Sequence, residues 1–328
     1  TAGQNNQFVF ATALDNVILT NNTDVPYQDD GTTISAVNFT SLTSTSRPTA
    51  AKTVAFFKNY LIFANTVENG INRPTRFRWS DVGTINDWTD NNFIDIGALG
   101  GQEINALAEL YDNLYVFLTD SIYKLSLVGG ADTWQVSKVT DDVGSIAKNS
   151  VQSITLANAQ SGLAFLDRDK RVYFFNGIYA QDISTLLTQT MKGLTGNRLQ
   201  YAVSGDTGTD YWLCLNDVDA TMNDLCLDLQ YQIGEWTKHT NIQANAMAQV
   251  LDTSSTPQVY FGNYHGLVYQ LNDPTPRADV GYLDSLVNPG AAFTGVVDAV
   301  NIYTTSTASG LQVLYDTSLD LVTGALVG

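Results

Sequence analysis

The stretch Asp112-Asn113-Leu114-Tyr115-Val116-Phe117 sets a pattern that returns along the chain: a polar turn pair, then a short apolar or aromatic strand. Equivalent stretches begin at Asp15, Lys58, Ser161, Thr209 and Pro257. The residues just before the apolar runs, at positions 16, 59, 113, 162, 210 and 258, are 43, 54, 49, 48 and 48 residues apart. A period of roughly 40–50 residues is typical of a four-stranded propeller blade.

The rest of each unit supplies the other strands of a blade. Apolar strands precede the repeated stretch at residues 53–57, 104–110, 151–156, 200–203 and 246–250. A hairpin partner carrying an aromatic or apolar run follows it, and a further strand often opens on tryptophan. Helical periodicity is weak, with residues 183–192 the best short candidate. The sequence therefore predicts an all-β fold, a β-propeller of about six four-stranded blades over residues 7–272.

The C-terminal part of the chain has a different character. Residues 273–292 contain Pro274, Pro276, Gly281 and Pro289 and are predicted to form a linker or long loop. Residues 293–328 are predicted to hold additional strands. These strands could complete the last blade, pair with the N-terminus to close the ring, or begin an appended module.

Composition supports strands joined by many turns and excludes several functions. The 328 residues include 33 acidic ones, of which only four are glutamate, and aspartate favours turns where glutamate favours helices. A net charge of −17 without a basic run excludes a phosphate-neutralising face for duplex DNA and disfavours an anionic membrane surface. The apolar runs are far shorter than the ~20 residues of a membrane span.

Aromatic residues recur at equivalent points of the units, which is what the packing of one blade on the next requires. The predicted blade-packing residues are Trp88, Trp134, Trp236, Tyr123, Tyr173 and Tyr269. An aromatic platform for sugars is the alternative interpretation of the tryptophans.

A sialidase-like glycoside hydrolase is the enzymatic alternative. Its chemistry needs two carboxylates, one with a pKa raised by burial, and so many aspartates make some pair inevitable. A sialidase also needs an arginine cluster drawn from separate blades. Here Arg76 and Arg78 fall on one predicted strand and Arg73 lies in its turn. We therefore predict that the chain is not an enzyme and has no catalytic residue.

Aspartates in turns are the conceivable ligands for a hard cation such as calcium. The candidate sets are Asp217 and Asp219 with Asn223 and Asp224, or Asp167 with Asp169. Neither set matches an EF-hand loop, and aspartates commonly cap turns. We predict no metal site and no cofactor.

Several short stretches of the chain resemble the sequences of one protein family. Residues 76–81, 87–88, 101–107, 114–117 and 121–125 are similar to the tail nozzle proteins of short-tailed bacteriophages, also called tail stabilisation or tail tubular proteins. The likeness continues at residues 143–145, 150–151, 162–167 and 172–177, and upstream at 17–21 and 30–31. It spans roughly residues 15–271. Members of that family usually carry another blade's worth of sequence before this point, so a missing N-terminal portion would be consistent with the resemblance.

The resemblance implies a structural virion protein. Its subunits would assemble as a homohexameric ring in the phage tail, formed in the host cytoplasm. The ring would contact a portal adaptor protein and tail fibre or needle proteins, and would conduct the genome during ejection without binding it specifically. The negative net charge would repel the phosphates of DNA along a channel wall, so that DNA could pass without binding. An acidic surface equally serves solubility. A receptor- or fibre-binding propeller module is the alternative function.

The cysteines and histidines show no catalytic spacing. Cys214 and Cys226 lie on the two strands of one predicted hairpin, so opposed pairing is possible. Because phage proteins are made in a reducing cytoplasm, we expect two small reduced core residues instead. His239 and His265 have no partners at a recognisable spacing and are predicted to be surface or turn residues.

Overall fold

Six antiparallel sheets follow one another along residues 9–270 in a computed structural model of the chain. They form a β-propeller, which confirms the predicted all-β class and blade count. The structure describes residues 6–97, 101–129, 133–194, 196–217, 220–240, 242–251, 254–264 and 266–271, and the backbone of 301–304 and 312–315. The chain divides into two compact units, Thr1–Leu271 and Asn272–Gly328.

Each of the first five blades is a sheet of four strands in chain order. Blade 1 contains β1 (Val9–Ala13), β2 (Asn16–Thr20), β3 (Tyr27–Asp29) and β4 (Ile34–Ala36). Blade 2 contains β5 (Pro48–Phe57), β6 (Tyr60–Glu68), β7 (Ile71–Ser80) and β8 (Trp88–Asp95). Blade 3 contains β9 (Ile104–Leu110), β10 (Asn113–Leu118), β11 (Ile122–Leu127) and β12 (Trp134–Thr140).

The remaining blades follow the same order. Blade 4 contains β13 (Gln152–Thr155), β14 (Ser161–Leu166), β15 (Val172–Phe175) and β16 (Ala180–Asp182). Blade 5 contains β17 (Val203–Asp206), β18 (Asp210–Leu215), β19 (Leu225–Gln230) and β20 (Glu235–Thr240). Blade 6 has three strands within the described residues, β21 (Ala246–Leu251), β22 (Pro257–Gly262) and β23 (Val268–Gln270).

Two-residue hairpin loops join the first and second strands of blades 1 to 3, at the predicted pair in blade 2 and one residue earlier than the predicted pairs in blades 1 and 3. The loop residues all have positive φ: Leu14 and Asp15, Lys58 and Asn59, Tyr111 and Asp112. Two consecutive positive φ angles define the turn type whose twist matches that of the flanking strands. The turn pattern in the sequence therefore marks the hairpin that starts each of these blades.

Apolar clusters hold neighbouring blades together. The clusters join blades 1 and 2 through Ile18 and Trp88, blades 2 and 3 through Trp79 and Trp134, blades 3 and 4 through Phe117 and Phe165, and blades 4 and 5 through Phe174 and Tyr211. Blade 6 approaches blade 5 at Gly205, where an added Cβ would lie only 2.8 Å from Val259 Cγ1. A larger residue at this position would push the two blades apart.

Two details differ from the sequence-based expectations. Residues 200–203 were expected to open the inner strand of blade 5, but Gly196–Tyr201 forms a 3₁₀ helix and the strand begins at Val203. The helical candidate at 183–192 becomes a short 3₁₀ turn, Thr185–Leu187, followed by helix α1 (Thr188–Gly193). The predicted linker at 273–292 lies outside the described residues.

The described part of the second unit is one hairpin. It pairs β24 (Asn301–Thr304) with β25 (Gln312–Tyr315) in antiparallel register. Additional C-terminal strands are therefore present, as predicted.

Candidate functional site: the axial polar cluster

Polar side chains gather where the inner strands of the blades begin. Gln7, just before β1, donates from Nε2 to the main-chain oxygens of Tyr201 (2.6 Å) and Asn245 (3.4 Å), at the entrances to blades 5 and 6. Lys148, at the entrance to blade 4, donates from Nζ to the main-chain oxygen of Gln7. Blades 1 and 4 stand opposite each other in a ring of six, so this contact crosses the propeller axis.

A second group of residues extends this cluster toward blades 2 and 3. Lys52 of β5 forms an ion pair with Glu103, with 3.0 Å between Nζ and Oε1, and also donates to Asn105 Oδ1. Asn105 in turn donates from Nδ2 to the main-chain oxygen of Ser145, at 2.7 Å. We call these five residues, Gln7, Lys52, Glu103, Asn105 and Lys148, the axial polar cluster.

Lys148 has an unusual electrostatic environment. Burial, together with the smaller effect of the Lys52 charge, lowers its pKa to about 8. No carboxylate pairs with Lys148 within the part of the chain that the structure describes. The cluster can therefore supply a cationic group that is little screened by water.

The axial polar cluster does not form the carboxylate pair of a glycoside hydrolase. As defined by its five residues, it contains a single carboxylate, Glu103, whereas retaining and inverting mechanisms both use two. Glu103 is also engaged, because its Oε2 accepts a hydrogen bond from Asn65 Nδ2 at 2.9 Å.

Two of the three arginines weighed as a sialidase-like cluster, Arg76 and Arg78, belong to an ion-pair network inside blade 2. Arg73, predicted in the turn, lies on the same strand, β7. Arg76 binds Asp95 through two hydrogen bonds of 2.7 Å, and its Nη1 lies 2.8 Å from Glu68 Oε2. Arg78 Nε lies 3.2 Å from Glu68 Oε1, and the Arg76 guanidinium stacks 3.8 Å from the centre of the Phe93 ring. Because acidic partners of the same blade already occupy them, Arg76 and Arg78 serve the sheet and are not free to hold a sugar carboxylate.

The tryptophans of the fourth strands lie between blades. Trp88 is fully buried against Phe39 and Phe63. Trp134 packs on three aromatic rings of blade 2, those of Phe57, Tyr60 and Trp79. Trp236 is half-buried and donates from Nε1 to the main-chain oxygen of Ile183, at the end of blade 4. The first two side chains are too deeply buried to serve as a sugar platform.

The predicted tyrosines are found in more varied surroundings. Tyr123 is buried in the cluster that joins blades 2 and 3. Tyr173 is half-buried and stacks on Phe165, with 6.1 Å between ring centres. Tyr269 is buried and stacks on Phe261 of its own blade, at 5.2 Å.

The turn aspartates bind main-chain groups. Asp167 is buried and accepts hydrogen bonds from the main-chain N–H groups of Gly144 and Asp169, and burial raises its pKa. Asp224 accepts from the N–H of Asp217 at 2.9 Å. Asp219 lies outside the described residues. Across the described ranges, no group of three histidine, cysteine, aspartate or glutamate side chains is placed to hold a metal ion.

Blade 5 corrects the expectation of reduced cysteines. Cys214 and Cys226 face each other in the register of β18 and β19, with Cα atoms 4.1 Å apart, and their sulfur atoms are bonded. The prediction of two reduced residues is wrong in this structure, because antiparallel pairing places the two fully buried side chains directly opposite each other.

Sequence reasoning missed a polar group beside this disulfide. Burial raises the pKa of Asp228 to about 7, with Asp210 adding to the effect, and lowers the pKa of His239, whose Nε2 lies 3.6 Å from Asp228 Oδ2. Trp212 stacks on the His239 ring, with 4.7 Å between centres. His239 is therefore half-buried on a strand, and His265 lies outside the described residues.

The axial polar cluster was also missed. Its five residues come from four separate places in the chain, and only Glu103 and Asn105 lie in a stretch that the sequence analysis singled out, residues 101–107. The one available signal was position, since all except Lys52, which lies in the middle of β5, are at or near the start of an inner strand.

Comparison with known proteins adds little to this description. No protein-family model and no curated protein matches the chain. Similar solved structures include BamB from Moraxella catarrhalis, at 16% identity and a TM-score of 0.44, covering 79% of this chain and 70% of that one. The computationally designed Ika8 protein gives 11% identity and 0.48, covering 80% and 69%.

The extracellular domain of BT4673 from B. thetaiotaomicron gives 9% identity and a TM-score of 0.48, covering 83% of this chain but only 34% of that one. TM-scores below 0.5 at these identities carry no argument about function. Over the described residues, no helix has the length and apolar character needed to cross a membrane.

Proposed function

We propose that this chain is a structural subunit of the tail nozzle ring of a short-tailed bacteriophage. The observation that carries the proposal is the series of short sequence stretches that resemble tail nozzle proteins. These stretches lie on strands and turns of blades 1 to 4. Residues 76–81 end β7, residues 114–117 lie within β10, and residues 172–177 cover β15 and the turn after it.

An exposed apolar face on blade 1 supports assembly with further copies. The register places Phe10, Leu19 and Tyr27 in one row, with Val17 and Ile34 in the next row on the same face. The opposite face packs on blade 2 through Ala13 and Ile18. Phe10 is 59% exposed and Ile34 is 64% exposed. In a ring of six this face turns toward blade 6, and Asp29 lies between Val17 and Ile34 in the second row. Phe10 and Ile34 stay exposed there, and a neighbouring subunit of the nozzle ring is the proposed occupant of this apolar surface.

In the proposed assembly the propeller axis is not the route for DNA, because the hydrogen bond from Lys148 to Gln7 joins blade 4 to the entrance of blade 1 across it. In the proposed assembly the genome therefore passes through the opening between subunits, along a wall formed by chains that each carry a net charge of −17.

Negative-stain electron microscopy and native mass spectrometry of the purified chain, alone and with a portal adaptor, test this proposal. We expect rings of six copies that bind the adaptor. The matched variant Phe10→Ser/Ile34→Ser alters only exposed side chains, so it should keep the far-ultraviolet circular dichroism spectrum and lose the ring. A chain that stays monomeric with the adaptor present would overturn the proposal.

A further inference from the structure

The ammonium group of Lys148 lacks a described counter-ion. Its one described acceptor is the main-chain oxygen of Gln7, a neutral group. A cation withdrawn from water without an opposite charge is costly, so such a group either loses its proton or recruits an anion. The lowered pKa of Lys148, about 8, shows that burial penalises the charged form.

A second ammonium group lies near Lys148. Asn105 links the two lysines, because it accepts a hydrogen bond from Lys52 and donates to the main-chain oxygen of Ser145, three positions before Lys148. The charge of Lys52 also contributes to the lowered pKa of Lys148. Within the axial polar cluster, Glu103 is the single carboxylate facing these two cations, and it is already paired with Lys52 at 3.0 Å. The two remaining members, Gln7 and Asn105, are neutral. The cluster therefore carries an excess of one positive charge in a chain that is otherwise strongly acidic.

The amide of Gln7 also has unused hydrogen-bonding capacity. Gln7 is buried, and its Oε1 has no donor within the described residues. A buried acceptor of this kind is satisfied by a hydroxyl or by water. A protonated oxyanion such as hydrogen phosphate offers both acceptors for ammonium groups and a hydroxyl donor.

We propose that the axial polar cluster binds a small oxyanion between Lys148 and Lys52, at the end of the propeller where the inner strands begin. The shared chemistry is a compact anionic group with several oxygen acceptors, supplied either by free phosphate or sulfate or by a carboxylate. The inference does not depend on the nozzle assignment, since it uses only residues of one propeller.

Thermal unfolding of the intact chain in rising concentrations of inorganic sulfate tests the site. Sulfate does not titrate near neutral pH, and ionic strength is held constant with sodium chloride. We expect a saturable rise in Tm for the wild type and for Lys148→Arg, which keeps the charge. In Lys148→Met the apparent affinity should fall at least about tenfold.

Lys170→Met is the matched control. Lys170 also donates to a main-chain oxygen, that of Leu194, but it lies in the turn between β14 and β15, outside the axial polar cluster. Its response to sulfate should equal that of the wild type. An equal response in Lys148→Met, or no saturable response in the wild type, would overturn the proposal. If Lys148→Met does not fold, Lys52→Met provides the second variant and should also weaken the sulfate response.

Two further measurements identify which anion the cluster prefers and whether Lys148 must be protonated to bind it. Isothermal titration with phosphate, sulfate and acetate ranks the three anions, and the Gln7 acceptor predicts that phosphate binds most tightly. Binding of the anion needs the protonated form of Lys148. The other charged residues of the axial polar cluster are Lys52 and Glu103. The sulfate response should therefore fade between about pH 7 and about pH 9.5. A response that does not change over this interval would count against Lys148 as the site.

Discussion

Glu68 and Arg78 form an ion pair inside blade 2, where they are 3% and 1% exposed, with Oε1 and Nε 3.2 Å apart. Glu68 also accepts from Arg76, whose other partner, Asp95, is half-exposed. One carboxylate thus serves two buried guanidinium groups on the same strand.

Replacing Glu68 should be strongly destabilising. Glu68→Gln leaves Arg78 buried without its acidic partner, and removing one member of a buried ion pair costs about 3–5 kcal/mol. Asp95→Asn removes a partly exposed partner and should cost about 1 kcal/mol or less. Urea unfolding followed by tryptophan fluorescence measures both changes. A Glu68→Gln cost below that of Asp95→Asn would contradict the network described for blade 2.

The inter-blade tryptophans should differ in their energetic roles. Trp134 is 4% exposed and fills the space between blades 2 and 3, so Trp134→Ala should lower the free energy of unfolding by about 3–5 kcal/mol. Trp236 is half-buried, and its indole makes one hydrogen bond, so Trp236→Ala should cost less, about 1–2 kcal/mol. Urea unfolding monitored by circular dichroism compares the two, and equal losses would show that burial does not set the difference.

Asp228 should make stability depend on pH. Its pKa is raised to about 7 in the folded chain, above the value of 3.8 for an unburied carboxyl, because burial disfavours the charged form. The stabilising contribution of the protonated form is complete below about pH 4 and is lost as the pH rises through 7. Asp228→Asn should therefore raise Tm relative to the wild type at pH 8 and leave it unchanged near pH 4.

Asp30→Asn is the control of opposite sign. The N–H groups of Thr33 and Thr32 lower the pKa of Asp30, so its charged form is stabilised by folding. This variant should lower Tm at pH 8 and have less effect near pH 3. Differential scanning calorimetry across the pH range distinguishes the two patterns. A Tm for Asp228→Asn that follows the Asp30→Asn pattern would contradict the burial argument.

The bond between Cys214 and Cys226 can be tested by mass. Intact protein denatured without reductant should weigh about two hydrogen masses less than the reduced form and should resist alkylation until it is reduced. Closing a short loop typically stabilises a protein by about 2–4 kcal/mol, so reduction should lower the urea midpoint. Two alkylated cysteines in the unreduced protein would show that the residues are thiols.

Sequence reasoning reached the fold because the repeat is local. The two-residue loops Lys58-Asn59 and Tyr111-Asp112 each connect the strands of one hairpin. The alternation of side chains along each strand then determines which residues face the next blade. The third strands of blades 2 to 6 were also predicted from the sequence, whereas that of blade 1, β3, was not. The start of blade 5 was not, because residues 200–203 are apolar enough for a strand while Gly196–Tyr201 closes into a 3₁₀ turn.

The candidate site could not be found in the same way. Lys148 and Gln7 are 141 positions apart, and neither lies within a motif. Arg76 and Arg78 were visible as a cluster, but their neutralisation by Glu68 depends on the pairing of β6 with β7. Cys214 and Cys226 were recognised as one hairpin's residues, yet their direct opposition required the register.

The sequence by itself determined the all-β class, the number of blades and the positions of the inter-blade tryptophans, because hairpins and alternating burial depend on near neighbours in the chain. Only the tertiary structure decided which charges meet at the axis, which arginines are neutralised and which face of blade 1 stays exposed. Those outcomes depend on closing six blades into a ring. Ring closure brings the starts of distant strands together, including the contact of Lys148 with Gln7.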